Sequence, residues 1–99
     1  MSLIILSARL REDFDRIFDF LFDHVPANAA LHIEAIIDAI DVLATSPLIG
    51  RPAAMGQREL IVSHGASGYL ALYRFDPAQD TVFVLAVRSQ RELDYKRSV

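Results

Sequence analysis

The spacing of apolar residues changes once along this chain, and that change constrains the fold more than any other feature of the sequence. Between residues 8 and 46, apolar side chains recur every three or four positions, which is the period of one helix face. Between residues 58 and 88, apolar positions alternate with polar ones or form runs rich in β-branched and aromatic residues, which is typical of strands. The sequence therefore predicts a helical half followed by a strand half, in a domain of the α+β class.

The helical half divides into two helices at Pro26. The residue before a proline disfavours the α region, whereas proline itself is tolerated in the first turn of a new helix. Two helices joined by so short a link form an antiparallel hairpin, which Pro47 ends. Four of the six phenylalanines lie in the first helix, so we expect that helix to anchor the core. Phe20 falls beside the main apolar stripe, where it is available to cover a partner.

The strand half predicts a sheet of three consecutive strands. The runs RELIVSH, YLALYRF and TVFVLAVR are separated by the turn sequences GASG and DPAQD, so they form an antiparallel meander. A further short strand, SLIILS, precedes the helices and is expected to be largely buried. The predicted order is β-α-α-β-β-β: an N-terminal strand, an antiparallel helical hairpin and a C-terminal antiparallel meander, with a short terminal helix near Arg91 to Tyr95. Residues 1–99 form one domain.

The composition argues against several classes of protein. Without cysteine there is no disulfide framework and no thiol chemistry. The apolar runs are far shorter than the ~20 residues of a membrane span, and the N-terminus does not resemble a signal peptide. The three histidines lack metal-ligand spacing, so neither a metal nor another cofactor is expected. These features favour a cytoplasmic protein.

Charge is distributed unevenly along the chain. Residues 1–46 hold three basic and eight acidic side chains, whereas residues 47–99 hold seven basic and five acidic ones. This asymmetry indicates either two faces with different partners or ordinary solvation of helix surfaces. The net charge of −3 argues against strong direct binding of nucleic acid.

Three arginines, Arg58, Arg74 and Arg88, each end an otherwise apolar stripe, which places charge at the rim of the predicted sheet. If neighbouring strands align, the three converge on one concave surface, joined by Arg51 from the preceding loop. Alternatively, each is solvated separately and its stem covers apolar area. Strict alternation along the strands gives these shared faces: Arg58 with Leu60 and Val62, Arg74 with Leu70 and Leu72, and Arg88 with Val82, Val84 and Ala86.

The motif LxxxPxxGRP at residues 43–52 is followed by an arginine-led strand, a YR strand and a VLAVR strand. In this order the segments resemble the ParE/RelE superfamily of toxins from bacterial type II toxin–antitoxin modules, which are often described as plasmid-stabilisation proteins. The opening ARLREDFDRIFDFL, followed by a helical hairpin, is similar to the ParE branch in particular. The resemblance covers nearly the whole chain and implies the same β-α-α-β-β-β fold.

The resemblance implies a toxin that a small antitoxin neutralises, ParD-like for the ParE branch, in a toxin–antitoxin hetero-oligomer. ParE-like members act on DNA gyrase, whereas RelE-like members cut mRNA in the ribosomal A site. A third alternative is a degenerate member that still binds its antitoxin but poisons nothing. Whether the chain is an enzyme therefore depends on its branch.

For a RelE-like endoribonuclease, the resemblance places metal-independent catalytic residues at Arg58, Arg74, Arg88 and Tyr95. The sequence opposes this role, because its only lysine is Lys96 and because Ser89 stands where relatives often carry histidine. Tyr95 as a base would also need its pKa lowered from ~10 by about three units. A ParE-like gyrase inhibitor needs no catalytic group and is the favoured function, since arginine and aromatic residues dominate binding hot spots. Its expected partner-binding residues are Arg51, Arg58, Arg74, Arg88, Arg91 and Tyr95.

Overall fold

The computed structural model describes residues 1–64, 67–92, 94 and 95. Residues 65 and 66 of the predicted GASG turn, and Lys96, lie outside this range. One five-stranded sheet and two helices make up the described chain, with single turns of 3-10 helix at Pro26–Asn28 and Ala54–Gly56. The elements are β1 (Leu3–Leu6), α1 (Ala8–His24), α2 (Ala29–Val42), β2 (Arg51–Pro52), β3 (Arg58–His64), β4 (Ser67–Asp76) and β5 (Thr81–Ser89).

The sheet has the strand order β1-β5-β4-β3-β2. The neighbours β3, β4 and β5 pair antiparallel, as the alternation predicts, and β1 pairs parallel to β5. The predicted α+β class and the predicted order of strands and helices are confirmed. The two-residue strand β2 is an addition to the predicted order, and it forms because Arg51 pairs with Glu59 across the edge of β3. No helix in the described part of the chain is long and apolar enough to span a membrane.

The helices cover one face of the sheet, and aliphatic side chains fill the space between. From α1 the core takes Leu10, Ile17 and Leu21, all at most 4% exposed. The expectation that the phenylalanines of α1 anchor the core is wrong for Phe18 and Phe22, which are 41% and 60% exposed, whereas Phe20, which the spacing placed beside the apolar stripe, is 46% exposed. A helix that lies on a sheet buries only a narrow stripe, and these rings fall on its two flanks. The remaining buried core residues are Ala29, Ile36, Ile40, Leu43, Leu60, Val62, Tyr69, Ala71, Tyr73, Val82, Val84 and Val87.

The N-terminal strand β1 is less buried than its apolar sequence predicts. Leu3 and Leu6 are 61% and 55% exposed, because β1 is the edge strand of the sheet and pairs only with β5. An apolar edge strand of this kind leaves one row of backbone groups without a strand partner.

A β-bulge in β5 changes the faces that strict alternation predicts. Leu72 pairs with Ala86 but the next residue, Tyr73, pairs with Val84, so Leu85 is an extra residue without a partner in β4. Such an insertion reverses the side-chain parity beyond it. Val87 therefore joins the helix-facing side of the sheet, and Arg88 lies on the opposite side, which we call the open face. The prediction that Arg88 shares a face with Val82 and Val84 is wrong, whereas its shared face with Ala86 is correct.

The predicted terminal helix is not formed over the described residues 91, 92, 94 and 95: residues 91, 92 and 94 adopt turn or bend conformations, and residue 95 has no regular structure. Local polar groups take up the backbone donors that a helix would use. The backbone of Ser89 accepts a hydrogen bond from the N–H of Glu92, and its hydroxyl accepts one from that of Arg91. The carboxylate of Asp94 accepts one from the N–H of Tyr95. Short polar side chains that compete in this way for backbone groups favour turns over helices.

Candidate functional site on the open face of the sheet

The candidate arginines do not form a single surface. Arg58 points to the helix-facing side, where it donates hydrogen bonds to the carbonyl oxygens of Leu48 at 3.3 Å and Gly50 at 2.8 Å. Arg74 and Arg88 lie on the open face, where they pair with Phe83 and Leu70 respectively. Arg74 and Leu70 are four residues apart on β4, which corresponds to about 13 Å along the strand. Of the two alternatives that the sequence left open, convergence of the three arginines on one surface therefore does not hold for Arg58 and Arg74.

Arg51, Glu59, Arg88 and Tyr95 meet on the open face, and we call this group the open-face cluster. The Tyr95 hydroxyl donates a hydrogen bond to Glu59 Oε2 at 2.6 Å. Arg51 donates to Glu59 Oε1 from both Nε and Nη2, which makes an ion pair at the rim of the sheet. The guanidinium of Arg88 lies over the Tyr95 ring, 5.1 Å from its centroid, and also donates to the backbone carbonyl of Glu92.

Tyr95 bridges two strands that are not neighbours. It contacts Arg88 on β5 and Glu59 on β3, so it crosses the intervening strand β4. Leu70, on the open face of β4, is only 5% exposed although neither α1 nor α2 covers that side. The segment after β5 thus folds back across the open face and shields apolar area there.

The charges of the cluster set the protonation states of Glu59 and Tyr95. Burial would raise the pKa of Glu59, but hydrogen bonds from Tyr95 and Arg51 and the charges of Arg51 and Arg88 outweigh it and lower that pKa. Burial, together with the hydrogen bond to Glu59 and its negative charge, raises the pKa of Tyr95 well above the ordinary value, and Arg88 opposes this only in part. Tyr95 is therefore a protonated hydrogen-bond donor at neutral pH. A phenol that acts as a general base would instead need a lowered pKa.

The residues predicted for the site from sequence did not include Glu59. Alternation in the run RELIV does indicate its position, because it places Glu59 on the face opposite the buried Leu60. What alternation could not supply is the partner, since Tyr95 reaches Glu59 from 36 residues away.

A second polar network lies at the edge of β5 and involves charged side chains of α1. Asp13 is 1% exposed; its Oδ2 accepts a hydrogen bond from the N–H of Val87 at 3.0 Å, and its Oδ1 accepts one from Arg16 at 2.8 Å. Arg16 also donates to the carbonyl of Val87 and to both carboxylate oxygens of Glu92. Burial would lower the pKa of Arg16, but the hydrogen bonds and charges of Asp13 and Glu92 outweigh it and raise that pKa.

An apolar cavity of about 350 Å³ opens between the C-terminal half of α1 and the adjoining ends of β4 and β5. Ile17, Phe20 and Leu21 line it from α1, and Tyr69 lines it from β4. The hydroxyl of Tyr69 is hydrogen-bonded to His32 Nδ1 at 2.8 Å. Arg91 stands exposed at this cavity, so the structure places it apart from the open-face cluster.

The LxxxPxxGRP motif has a structural role. The buried Tyr73 hydroxyl donates to the carbonyl of Pro47 and accepts from the N–H of Gly50, both at 2.8 Å. A Cβ on Gly50 would lie 2.6 Å from Tyr73 Cε1, so only glycine permits this approach. Because Arg58 binds the carbonyl of the same glycine, the motif and the arginine-led strand together fix one loop.

The described residues contain no group of three or more side chains that could hold a metal ion. The contacts of the open-face cluster show that it offers hydrogen bonds, positive charge and an aromatic surface.

Comparison with known proteins places this chain in a family. A family model described as the ParE toxin of the type II toxin–antitoxin system parDE matches residues 4–94. Toxin RelE3 of Caulobacter vibrioides is 33% identical over 92 residues, which cover 93% of this chain and 98% of that protein. Toxin RelE1 of the same organism is 31% identical over 71 residues, which cover 72% of this chain and 76% of that protein.

Solved structures show the same fold. The structure of a chromosomal ParDE toxin–antitoxin system from P. aeruginosa superposes with a TM-score of 0.74 at 19% identity, over 90% of this chain and 96% of the other. The intact E. coli RelBE toxin–antitoxin complex superposes with a TM-score of 0.59 at 15% identity, over 93% and 100% of the two chains. The family match over nearly the whole described chain and the identity to the RelE toxins agree with the resemblance seen in the sequence. The chain belongs to the ParE toxin family of type II toxin–antitoxin systems.

Proposed function

We propose that this toxin acts by binding a protein, with DNA gyrase as its target, and that a ParD-like antitoxin neutralises it. The observation that carries this proposal is the state of Tyr95, which is hydrogen-bonded to Glu59 and has a raised pKa. A general base near neutral pH needs the opposite shift. The arginines that would stabilise a phosphate transition state are also divided between two faces, because Arg58 is bound to backbone carbonyls on the helix-facing side.

The antitoxin site that we propose is the open face around Arg51, Arg88 and Tyr95. Arg51 is exposed over 59% of its side chain, and Arg88 Nε is a buried donor with no acceptor among the described residues. Guanidinium donors of this kind favour carboxylates as acceptors. Arg51 already pairs with one carboxylate on this surface, that of Glu59. Structural neighbours such as the ParDE and RelBE assemblies contain an antitoxin, which supports a partner of that class. The occupant that we propose for this surface is an acidic tail with apolar side chains. Arg74, farther along the open face, and Arg91, at the cavity beside α1, would contact more distant parts of such a partner.

Metal-independent cleavage of mRNA is the second candidate. It is favoured by two relatives that carry the name RelE, and by the contact between Arg88 and Tyr95, which places a cation beside a phenol. Those two side chains would then act on a ribosome-bound message, after release of Tyr95 from Glu59. This release is the step that the structure makes unfavourable.

Two assays on the purified toxin separate these functions. Gyrase and supercoiled DNA report target poisoning through stabilised DNA cleavage, and a translating extract reports cuts in mRNA linked to codons. We expect cleavage of DNA by gyrase, intact mRNA, and protection of gyrase when the antitoxin from the neighbouring reading frame is added. Codon-linked cuts with unaffected gyrase would reject the proposal. A toxin that binds the antitoxin but neither arrests growth nor acts in either assay would be a degenerate member.

A further inference from the structure

The edge of β5 loses its strand neighbour halfway along its length. β1 pairs with residues 81–84 of β5 and goes no further. Beyond Val84, side chains replace the missing strand. The Ser7 hydroxyl donates to the carbonyl of Leu85 at 2.9 Å, Asp13 accepts the N–H of Val87 at 3.0 Å, and Arg16 donates to the carbonyl of Val87 at 3.2 Å. A carboxylate and a guanidinium thus take the places of the acceptor and the donor that a neighbouring strand would provide.

Asp13 is the buried centre of this edge network, and Arg16 and Glu92 pair with one another at its partly exposed end. A buried carboxylate is costly unless it is paired and hydrogen-bonded, and Asp13 has both Val87 and Arg16 as partners. Arg16 carries the network on to Glu92, at 3.0 Å between Nη2 and Oε2, in the turn that follows β5. Helix α1 is therefore tied both to the end of the strand and to the turn beyond it.

The network lies beside the β-bulge and the turn that position Arg88. It fixes the two residues on either side of Ala86, the bulged Leu85 and Val87, and the bulge is what turns Arg88 to the open face. It also fixes Glu92, whose backbone carbonyl accepts a hydrogen bond from Arg88. The route from the helix to the open-face cluster is thus continuous: Asp13 and Arg16, then Val87 and Glu92, then Arg88 and Tyr95.

We propose that Asp13 and Arg16 are positioning residues, which hold the bulged end of β5 and its turn so that Arg88 and Tyr95 are presented on the open face. The inference rests on the proposed function in one respect, namely that a partner binds at this face. Neither side chain touches the partner in this proposal. Both act through Val87 and Glu92.

The test is the variant Asp13→Asn in the full chain. Asparagine keeps one carbonyl oxygen, but its NH₂ group must then face a donor, either the N–H of Val87 or the guanidinium of Arg16. We expect amide exchange of Val87 to rise at least tenfold. We also expect the Tyr95 ring signal in NMR spectra to titrate at a lower pH than in the wild type, because loss of the turn's anchor weakens the hydrogen bond to Glu59 and the burial that raise the pKa of Tyr95.

Two control variants separate positioning from general loss of stability. Asp41→Asn removes the same charge from an exposed position on α2, and Ile36→Val loosens the core away from β5. Neither should change Val87 exchange relative to the rest of the sheet or the ionisation of Tyr95. Affinity for the antitoxin of the neighbouring reading frame should fall at least fivefold in Asp13→Asn alone.

Unchanged Val87 exchange and unchanged Tyr95 ionisation in Asp13→Asn would overturn the inference. Equal changes in Ile36→Val would also overturn it, because the effect would then be one of stability. If both signals change in Asp13→Asn but wild-type toxin binds no antitoxin, the positioning role stands and the proposed function fails. Should Asp13→Asn not fold, Arg16→Lys gives the same test, because lysine keeps the charge but cannot reach Asp13, Val87 and Glu92 together.

Discussion

The substitution Tyr95→Phe separates catalysis from binding more sharply than any other change at the site. It removes the hydroxyl that donates to Glu59 at 2.6 Å and keeps the ring that lies 5.1 Å from the Arg88 guanidinium. The loss is therefore confined to one hydrogen bond. The aromatic contact and the path of the segment across β4 should remain.

The magnitude follows from the partners that Glu59 retains. A hydrogen bond to a charged group contributes about 1.5–3 kcal/mol. Glu59 keeps both donors of Arg51, and the half-buried site admits water in place of the hydroxyl, so we expect a loss at the lower end, about 1–2 kcal/mol. For a domain of this size, that corresponds to a fall in melting temperature of roughly 5–12 °C.

The two functions predict different effects on toxicity. A general acid or base contributes about 10²–10⁴-fold to a rate, so a nuclease that uses Tyr95 would lose nearly all activity. A gyrase inhibitor loses at most the energy of the hydrogen bond, and 1–2 kcal/mol corresponds to about 5- to 30-fold in affinity. This difference can be measured as growth arrest after induction of wild type and Tyr95→Phe. The two proteins must be compared at matched levels and below the melting temperature of the variant. A loss beyond a hundredfold at intact folding would refute the binding mechanism.

Three further substitutions test other parts of the structure. Gly50→Ala should lower the free energy of unfolding in urea by about 2–3 kcal/mol, because the new Cβ would lie 2.6 Å from Tyr73 and must disrupt its buried hydrogen bonds. Glu59→Gln should destabilise the fold at neutral pH, with a difference from wild type that shrinks as pH falls below the ordinary glutamate pKa of 4.5. The sign follows because the pKa of Glu59 is lower in the folded than in the unfolded protein, so its carboxylate stabilises the fold above the unfolded pKa and this stabilisation is lost as acid protonates it. A difference in unfolding free energy between wild type and Glu59→Gln that stays constant from pH 7 to pH 3 would contradict this. Arg88→Ala should weaken antitoxin binding or toxicity at least tenfold by calorimetry and growth assay, with Arg11→Ala on the exposed side of α1 as control; no change in either would exclude Arg88 as a contact.

The parts of the fold that follow from sequence are those with a local cause. Apolar period, Pro26 and the turn sequences give the helical hairpin and the antiparallel order of β3, β4 and β5. The burial of individual side chains was predicted less well from the sequence, because it depends on which elements pack beside each helix or strand. Phe22 has the right helical spacing but falls on a flank of α1, and Leu3 is apolar but belongs to an edge strand.

The candidate site was predicted only in part, because its geometry depends on one inserted residue. Nothing in the run VFVLAVR identifies Leu85 as a bulge, since every residue there suits a strand. Strict alternation therefore assigned Arg88 to the wrong face. Glu59 could be placed on the open face by alternation, but its partner Tyr95 depends on a turn that the sequence suggested would be helical.

The structure divides the residues that make this sequence recognisable into two groups with different roles. Gly50, Arg58 and Tyr73 bind one another or the same loop, so their substitution should act mainly through stability. Arg88 and Tyr95 depend instead on the register of β5 after its bulge, which α1 fixes through Asp13. In this chain, one residue gained or lost near Leu85 would move Arg88 to the other face while leaving Gly50, Arg58 and Tyr73 in place. The position of Arg88 therefore depends less on the residue itself than on the face that the end of β5 gives it.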